Sequence, residues 1–386
     1  MFNFTFSAEK PIETSGRADL QLVVSVILLL GLGLFALAVC SASYAERMFD
    51  DSRYFIKRQL FSIGIGAAAM IVCATVNMNL IRRFLPVIVV VSLVLCLLTF
   101  VPGIGSERNG AQRWITVPFI GSLQPSEIAK LAVVLFLANY FDKQYSLQNE
   151  SDRSLVQGLL GLGVFVLIIL LQKDFSTAVF VFTVGVFIIF ITGSTLIWVL
   201  PLIGVGAPAM LLFIFMEPYR VQRLIAFFNP EYSQSRWNYQ SIAAERAVSA
   251  GGIFGEGPGS GLFFSSRIPE IQADYVFAGW AEAMGLFGVL AYFCLLLFFS
   301  YRGFKAAMCA ADRFQALCAA GCTALILFQS LLNCGVVGGA FPATGIPLPF
   351  FSSGGSSMVI TLCICGLLMN ISRRRGGPSN YSEYTA

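Results

Sequence analysis

The feature that most constrains this chain is a succession of apolar runs, each about as long as a bilayer's hydrocarbon core is thick. They lie at 20–42, 60–77, 84–102, 126–141, 156–172, 175–192, 195–216, 276–300, 315–333 and 356–371. A backbone in lipid must satisfy its own hydrogen bonds, and runs of this length do so as helices. At 57% hydrophobic and 12% charged residues, the composition excludes a soluble globular protein. The fold class expected is all-α: a polytopic membrane protein of about ten transmembrane helices. The first run is too long for a signal-peptide core and is read as a span.

An even number of spans puts both termini on one side. The basic pairs and clusters at Arg82-Arg83, Lys143/Arg153, Arg302/Lys305/Arg313 and Arg373-Arg374-Arg375 fall on that side. Long loops are exempt from the positive-inside rule. With the longest loop left out, twelve Lys/Arg stand on the terminal side against seven on the other, so both termini are expected in the cytoplasm. The organisation expected is a cytoplasmic tail over 1–19, a membrane domain over 20–375 and a cytoplasmic tail over 376–386. The net charge of +4 is small and its basic residues are scattered, which argues against nucleic acid as a partner.

The loop over 217–275 is then extracytoplasmic and holds most of the polar detail. Val221, Leu224, Ile225 and Phe228 recur at helical spacing and predict an amphipathic interfacial helix. A second helix is predicted over 239–250, followed by a glycine-rich run, Gly251 to Gly261, that must turn repeatedly. The loop carries five arginines and no lysine. Arginine favours bidentate contact with oxygen anions, which makes Arg220 and Arg223 candidates for holding a phosphate, with internal salt bridges to the loop's acids as the other reading.

Histidine is absent. That removes Ser-His and Cys-His nucleophile systems and histidine bases together. The ten cysteines lie mostly in apolar runs, where they act as small hydrophobes. Acid–base chemistry falls to carboxylates. Asp274 stands where the long loop meets the eighth apolar run; partial desolvation there would raise its pKa and make it a better base, while a helix cap is the plainer reading. Glu282, eight residues on, is expected on the same helix face about 12 Å deeper. Glu127 and Lys130 share a face of the fourth span. They form either an ion pair or, with Gln112, Arg113 and Gln124, a wall that can hold an anionic head group. The last external loop, 333–355, is full of Gly, Pro and Ser and ends at Ser356-Ser357. It can re-enter the bilayer only where protein or a wet cavity covers it. These residues fit an enzyme acting on a lipid-linked phosphate and, nearly as well, a transporter with an external gate.

Several segments resemble the FtsW/RodA/SpoVE (SEDS) family. They are Asn109-Gly110-Ala111-Gln112-Arg113-Trp114, Gln124-Pro125-Ser126-Glu127-Ile128-Ala129-Lys130, Gly255-Glu256-Gly257-Pro258-Gly259, Ile268-Pro269-Glu270 through Ala278, and Thr344-Gly345-Ile346-Pro347-Leu348-Pro349-Phe350 followed by Gly354-Gly355-Ser356-Ser357. The resemblance implies a peptidoglycan glycosyltransferase of the bacterial cytoplasmic membrane. Such an enzyme polymerises lipid II onto a nascent glycan strand beside a class B penicillin-binding transpeptidase and other divisome or elongasome membrane proteins. The family's essential acid falls on Asp274, and its polar residues fall on Arg113, Glu127 and Lys130. Gln272-Ala273 stands where the family has His-Thr or His-Ala. The Gly-Pro-Gly run is more like the division branch, and Thr344 to Pro349 more like the elongation branch. The expectation is an inverting transfer with Asp274 as base, the leaving diphosphate being met by arginine or by a divalent cation (Mg or Mn). A lipid II flippase and a non-catalytic division scaffold are the competing expectations.

Overall fold

The computed structural model describes residues 12–14, 16–108, 111–117, 121–147, 152–193, 204, 215, 218–228, 239–258 and 265–376. The bundle is made by α1 (Leu20–Phe49), α2 (Tyr54–Thr75), α3 (Met78–Leu98), α4 (Pro125–Ser146), α5 (Asp152–Leu171) and α6 (Phe175–Ile191). The long loop contributes α7 (Pro218–Phe228), α8 (Tyr239–Ala250) and the single turn α9 (Ile271–Asp274). The bundle is completed by α10 (Val276–Met308), α11 (Arg313–Val337) and α12 (Gly355–Arg373). The seventh apolar run, 195–216, lies outside the described residues but for 204 and 215.

Nine of the ten predicted spans thus have a helix among the described residues, and both helices predicted inside the long loop are present. Six of the helices are long and apolar enough to cross a membrane. Their outward belt is apolar, with Leu60, Phe61, Val87, Val90 and Leu297 all exposed. This is a multi-pass membrane protein. Helix starts follow the capping preference for short polar side chains. Asp19 accepts from Gln21 N at 3.0 Å, Asn77 from Asn79 N at 3.0 Å and Asp312 from Gln315 N at 2.7 Å.

Because lipid is as apolar as leucine, helices in a membrane associate by close packing rather than by the hydrophobic effect. The α2–α12 contact shows this. A side chain on Gly366 would strike the Met70 carbonyl, and one on Gly66 would come within 2.6 Å of Leu362. Ion pairs lock the end of the bundle where the chain termini meet. Asp19 pairs with Arg302, its backbone N donates to Ser372 Oγ at 3.1 Å, and β1 (Ile12–Thr14) pairs antiparallel with β5 (Arg374–Gly376). Residues 12–14 and 374–376 therefore lie side by side at this end of the bundle.

Three features add to or depart from the expected plan. The second external loop is a three-stranded antiparallel sheet, β2 (Gly105–Arg108), β3 (Ala111–Val117) and β4 (Gly121–Leu123). The last external loop turns inward: Phe350 and Phe351 are fully buried, ring against ring with Phe299, Trp280 and Tyr292. Protein covers Ile346 and the stretch from Leu348 to Ser352, the condition for irregular backbone at membrane depth. Third, α10 is two helices.

Gly285 has φ 61° and ψ −160°, and there the chain reverses. A straight helix would hold Phe277 and Phe293 about 24 Å apart, yet their rings are 6.0 Å apart. Trp280 Nε1 donates to Gly288 O at 3.0 Å. Contacts symmetric about residue 285 define a helical hairpin, with 276–284 as a short arm against the spanning arm 286–308. Carbonyls of the glycine turn fill the break: Leu286 N donates to Gly252 O and Phe287 N to Ile253 O, while Glu256 N and Gly257 N donate to Glu282 O and Ala283 O.

Candidate active site

Asp274 closes α9, which starts after Glu270 in a left-handed conformation (φ 53°). The backbone of this turn is clamped from two sides. Asn333 Nδ2 on α11 donates to Asp274 O at 2.8 Å and to Ile346 O at 2.9 Å. Ser353 N donates to Gln272 O at 2.7 Å. The carboxyl is half-buried, and its Oδ2 lies 3.7 Å from the place a Cβ would take on Gly345. Burial pushes its pKa up to about 6, and Glu270 adds to the rise, while Arg223 and Arg113 oppose it. A base titrating near neutrality is what proton abstraction at physiological pH favours. The plainer reading of Asp274 as a helix cap does not hold, since it is the last residue of its own turn and α10 has no side-chain cap.

Two arginines face this acid from different elements. Arg223, on α7, donates through Nη1 to Ala343 O at 2.9 Å. Arg113, on β3, is joined by Nη1 to Asp174 Oδ1 at 3.3 Å, and its Nε is buried with no hydrogen-bond partner among the described residues. Asp174 caps α6 through Thr177 N at 3.4 Å, and its Oδ2 accepts from Gln124 Nε2 at 3.2 Å. Gln124 N donates in turn to Ser356 Oγ at 3.2 Å, tying the head of α4 to the head of α12. A cavity of about 620 Å³ opens beside these groups, lined by Arg113, Lys173, Asp174, Arg223 and Gly345 among others.

The structure thus gathers Asp274, Arg113, Arg223, Gln124 and Ser356, the last two as fixed supports. Gln112 is exposed opposite Glu107 in the sheet; alternation along β3 turns it away from Arg113. Arg220 belongs to α7, but its side chain is outside the described residues.

Of the two readings of Glu127 and Lys130, the structure has the ion pair, as a buried cross-brace. Both are 3% exposed and pair at 2.8 Å. Lys130 Nζ also donates to Gln329 Oε1 at 2.8 Å, and Gln329 Nε2 to Pro347 O at 2.8 Å, so the pair props the re-entrant segment from beneath. The placing of Glu282 is corrected. It is 1% exposed, accepts from Ser265 N at 2.8 Å, and lies near the hairpin apex rather than further down a straight span. Asp174 follows Lys173 in the two-residue gap between the apolar runs 156–172 and 175–192, which marks a boundary and no function. Its tie to Arg113 crosses 61 residues and has no local signature.

Among the described residues no three His, Cys, Asp or Glu side chains gather where they could hold a metal. The carboxylates nearest the cavity face arginines, so the donor set does not suit an all-protein Mg or Mn site.

Comparison with known proteins agrees with this geometry. The model of the FtsW/RodA/SpoVE family, described as cell cycle protein, matches residues 20–376. Stage V sporulation protein E of Bacillus subtilis is 35% identical over 369 residues, covering 95% of this chain and 98% of that one. The probable peptidoglycan glycosyltransferase FtsW of Trichlorobacter lovleyi is 33% identical over 354 residues, covering 92% and 93%. Among solved structures, a chain from a peptidoglycan synthase complex that coordinates polymerization and crosslinking superposes with a TM-score of 0.73 at 27% identity, covering 92% of this chain and 98% of that one. The rod shape determining protein RodA of Thermus thermophilus superposes with a TM-score of 0.69 at 25% identity, covering 92% and 97%. With a family model spanning nearly its whole length and these relatives aligned end to end, the chain belongs to the FtsW/RodA/SpoVE family.

Proposed function

We propose that this protein is a peptidoglycan glycosyltransferase that polymerises lipid II, with Asp274 as its general base. The observation that carries the proposal is a half-buried carboxyl whose Oδ2 lies 3.7 Å from the Cβ position of Gly345, a residue that lines the cavity together with Arg113 and Arg223. Asp274 takes the proton from the sugar 4-hydroxyl of one lipid II. The oxygen attacks the anomeric carbon of the growing strand, the bond from that carbon to the lipid diphosphate breaks, and the diphosphate leaves with the electron pair. Attack opposite the leaving group inverts the anomeric centre, so an α-linked lipid gives a β-linked glycan. General-base assistance contributes roughly 10²–10⁴-fold, and Arg113 and Arg223 are placed to meet the charge that develops on the diphosphate.

The chain would work in the bacterial cytoplasmic membrane with both tails inside, the twelve basic residues of the terminal side supporting that orientation. Its partner would be a class B penicillin-binding transpeptidase, in keeping with the complex from which the structural neighbour comes. Division at the septum is favoured over elongation by the likeness to proteins named FtsW. The flippase reading needs Glu127, Lys130 and Glu282 to meet cargo, and all three are enclosed.

The test is polymerisation of labelled lipid II by the purified chain, with and without its transpeptidase. Asp274→Asn should yield no glycan strands while the protein stays folded. Strand synthesis by that variant would remove the base assignment.

A further inference from the structure

Asn333 stands where α11 meets the last external loop and is 2% exposed. One turn earlier on the same helix face is Gln329, equally enclosed. The two amides hold successive carbonyls of the re-entrant segment. Gln329 Nε2 donates to Pro347 O at 2.8 Å and Asn333 Nδ2 to Ile346 O at 2.9 Å. From there their contacts part. Gln329 turns its oxygen to Lys130, whereas Asn333 gives its second hydrogen to Asp274 O at 2.8 Å.

The turn that carries the acid cannot hold itself. A helix of one turn makes too few internal bonds, and the carbonyls at its end need partners from outside. Asn333 supplies one to Asp274, and Ser353 N supplies one to Gln272. Only the Asn333 bond lands on the acid's own residue. Its companion bond lands on the neighbour of Gly345, whose Cβ position lies 3.7 Å from Asp274 Oδ2 and which lines the cavity. A single NH2 group thus spans the gap between the acid and the rim it faces. Both partners are carbonyls, which only accept, so the amide has one workable orientation, and neither Asp nor Leu could make both bonds. Asn333 Oδ1 is buried with no hydrogen-bond partner among the described residues. Such an orphan acceptor costs stability, and an apolar side chain would avoid that cost if packing were all the position required.

We propose that Asn333 is a positioning residue for glycosyl transfer: its amide fixes the Asp274 carboxyl against the Gly345 rim of the cavity. Asn333 touches no reacting atom and acts only through the acid. The inference rests on the glycosyltransferase reading and adds to it the residue, 59 positions along the chain, that sets the base in place. The charged groups that act on the carboxyl are Arg113 on β3, Arg223 on α7 and Glu270 before the turn; the re-entrant residues 342–354 contain none. An uncharged substitution at Asn333 leaves all three in the chain, so a change in titration reports movement of the carboxyl itself.

The test is the pH profile of lipid II polymerisation by the full chain in liposomes, with rates expressed per folded molecule. In the unsubstituted chain the rate should fall away below about pH 6, where burial puts the Asp274 carboxyl. Asn333→Leu, close in size and without donors, should lower kcat about a hundredfold, the effect of a displacement on the order of 1 Å, and leave KM nearly unchanged. Its acid limb should move down towards the ordinary 3.8 as the released carboxyl gains water. Asn333→Ser keeps one donor; it should shift kcat and limb the same way by less, and it carries the test if the leucine variant does not fold. Gln329→Met removes the neighbouring bond to the segment but none to the acid, so it should lower the thermal midpoint and leave the limb in place. A limb that stays put in the Asn333 variants, or moves as far in Gln329→Met, would overturn the positioning role and leave the base assignment standing. An unsubstituted chain that polymerises with no acid limb near pH 6 removes the base assignment, and the role of Asn333 with it.

Discussion

Arg113 on the external sheet meets Asp174 at the head of α6 at 3.3 Å, and that carboxylate simultaneously holds Gln124. The arginine nearest the proposed diphosphate is thus aimed by an acid that touches no reacting atom. Asp174→Asn should keep the helix cap but release Arg113. A charge-assisted hydrogen bond contributes about 1.5–3 kcal/mol, so polymerisation should fall roughly ten- to a hundredfold, through kcat more than KM. Arg113→Lys should not restore it, because an ammonium cannot reproduce the guanidinium fork. Unchanged strand synthesis by Asp174→Asn would show that Arg113 needs no such alignment.

The acid itself leads to a pH prediction. With its pKa pushed up to about 6 by burial, Asp274 is mostly ionised at pH 7 and loses its basicity on acidification. The rate of strand synthesis should fall about tenfold for each pH unit below the pKa. A rate that is flat between pH 5 and 7 would contradict the assignment.

Stability should run the opposite way. A carboxyl whose folded pKa lies above its unfolded value stabilises the fold below the unfolded pKa, and that contribution is lost as pH rises through the folded one. From 3.8 to about 6 the ionised form costs the fold on the order of 1–3 kcal/mol at neutral pH. Asp274→Asn, which removes the charge, should therefore raise the thermal midpoint by a few degrees while abolishing activity. A lower midpoint, read in detergent by intrinsic fluorescence, would count against this account.

Lys130 tests the cross-brace. Removing one partner of a buried ion pair leaves the other charge uncompensated, at about 3–5 kcal/mol. Lys130→Ala should destabilise the protein by that order, and Lys130→Met combined with Glu127→Gln by much less. If the single and double variants unfold alike in thermal scans, the pair is not what holds the re-entrant segment up.

Gly285 has a φ/ψ pair that is essentially restricted to glycine, worth about 1–3 kcal/mol of strain for any other residue. An added Cβ would also meet the backbone of Gly251, Ile253 and Gly255. Gly285→Ala should loosen the hairpin and expose the glycine turn to protease, whereas Gly163→Ala, in open space, should not. Equal cleavage of the two variants would rule that out.

Sequence patterns carried the bundle well and its interior poorly. Apolar runs located the helices, and the spacing of Val221, Leu224, Ile225 and Phe228 gave the interfacial α7. Hydropathy records whether a residue suits lipid, not which way the chain runs. The apolar stretch from Val276 to Ser300 is continuous, so the reversal at Gly285 left no trace in it. The Glu127–Lys130 pair was legible as one of two readings from its spacing of three, but the contact that ties it to the re-entrant segment, Lys130 to Gln329, crosses 199 residues and was not. The small external sheet escaped because its strands are only three to seven residues long. Asp274, at a polar–apolar boundary, was legible as a candidate; the arginines that face it were placed only by the fold.

The hairpin has one more consequence. A residue carried on a membrane-crossing helix rises or sinks as that helix tilts to match bilayers of different thickness. Asp274 hangs instead from a short arm whose Glu282 and Ala283 carbonyls accept from the backbone N–H groups of Glu256 and Gly257, so its height is measured from the turn. Thin or thick membranes should leave the acid at the same level relative to its arginines.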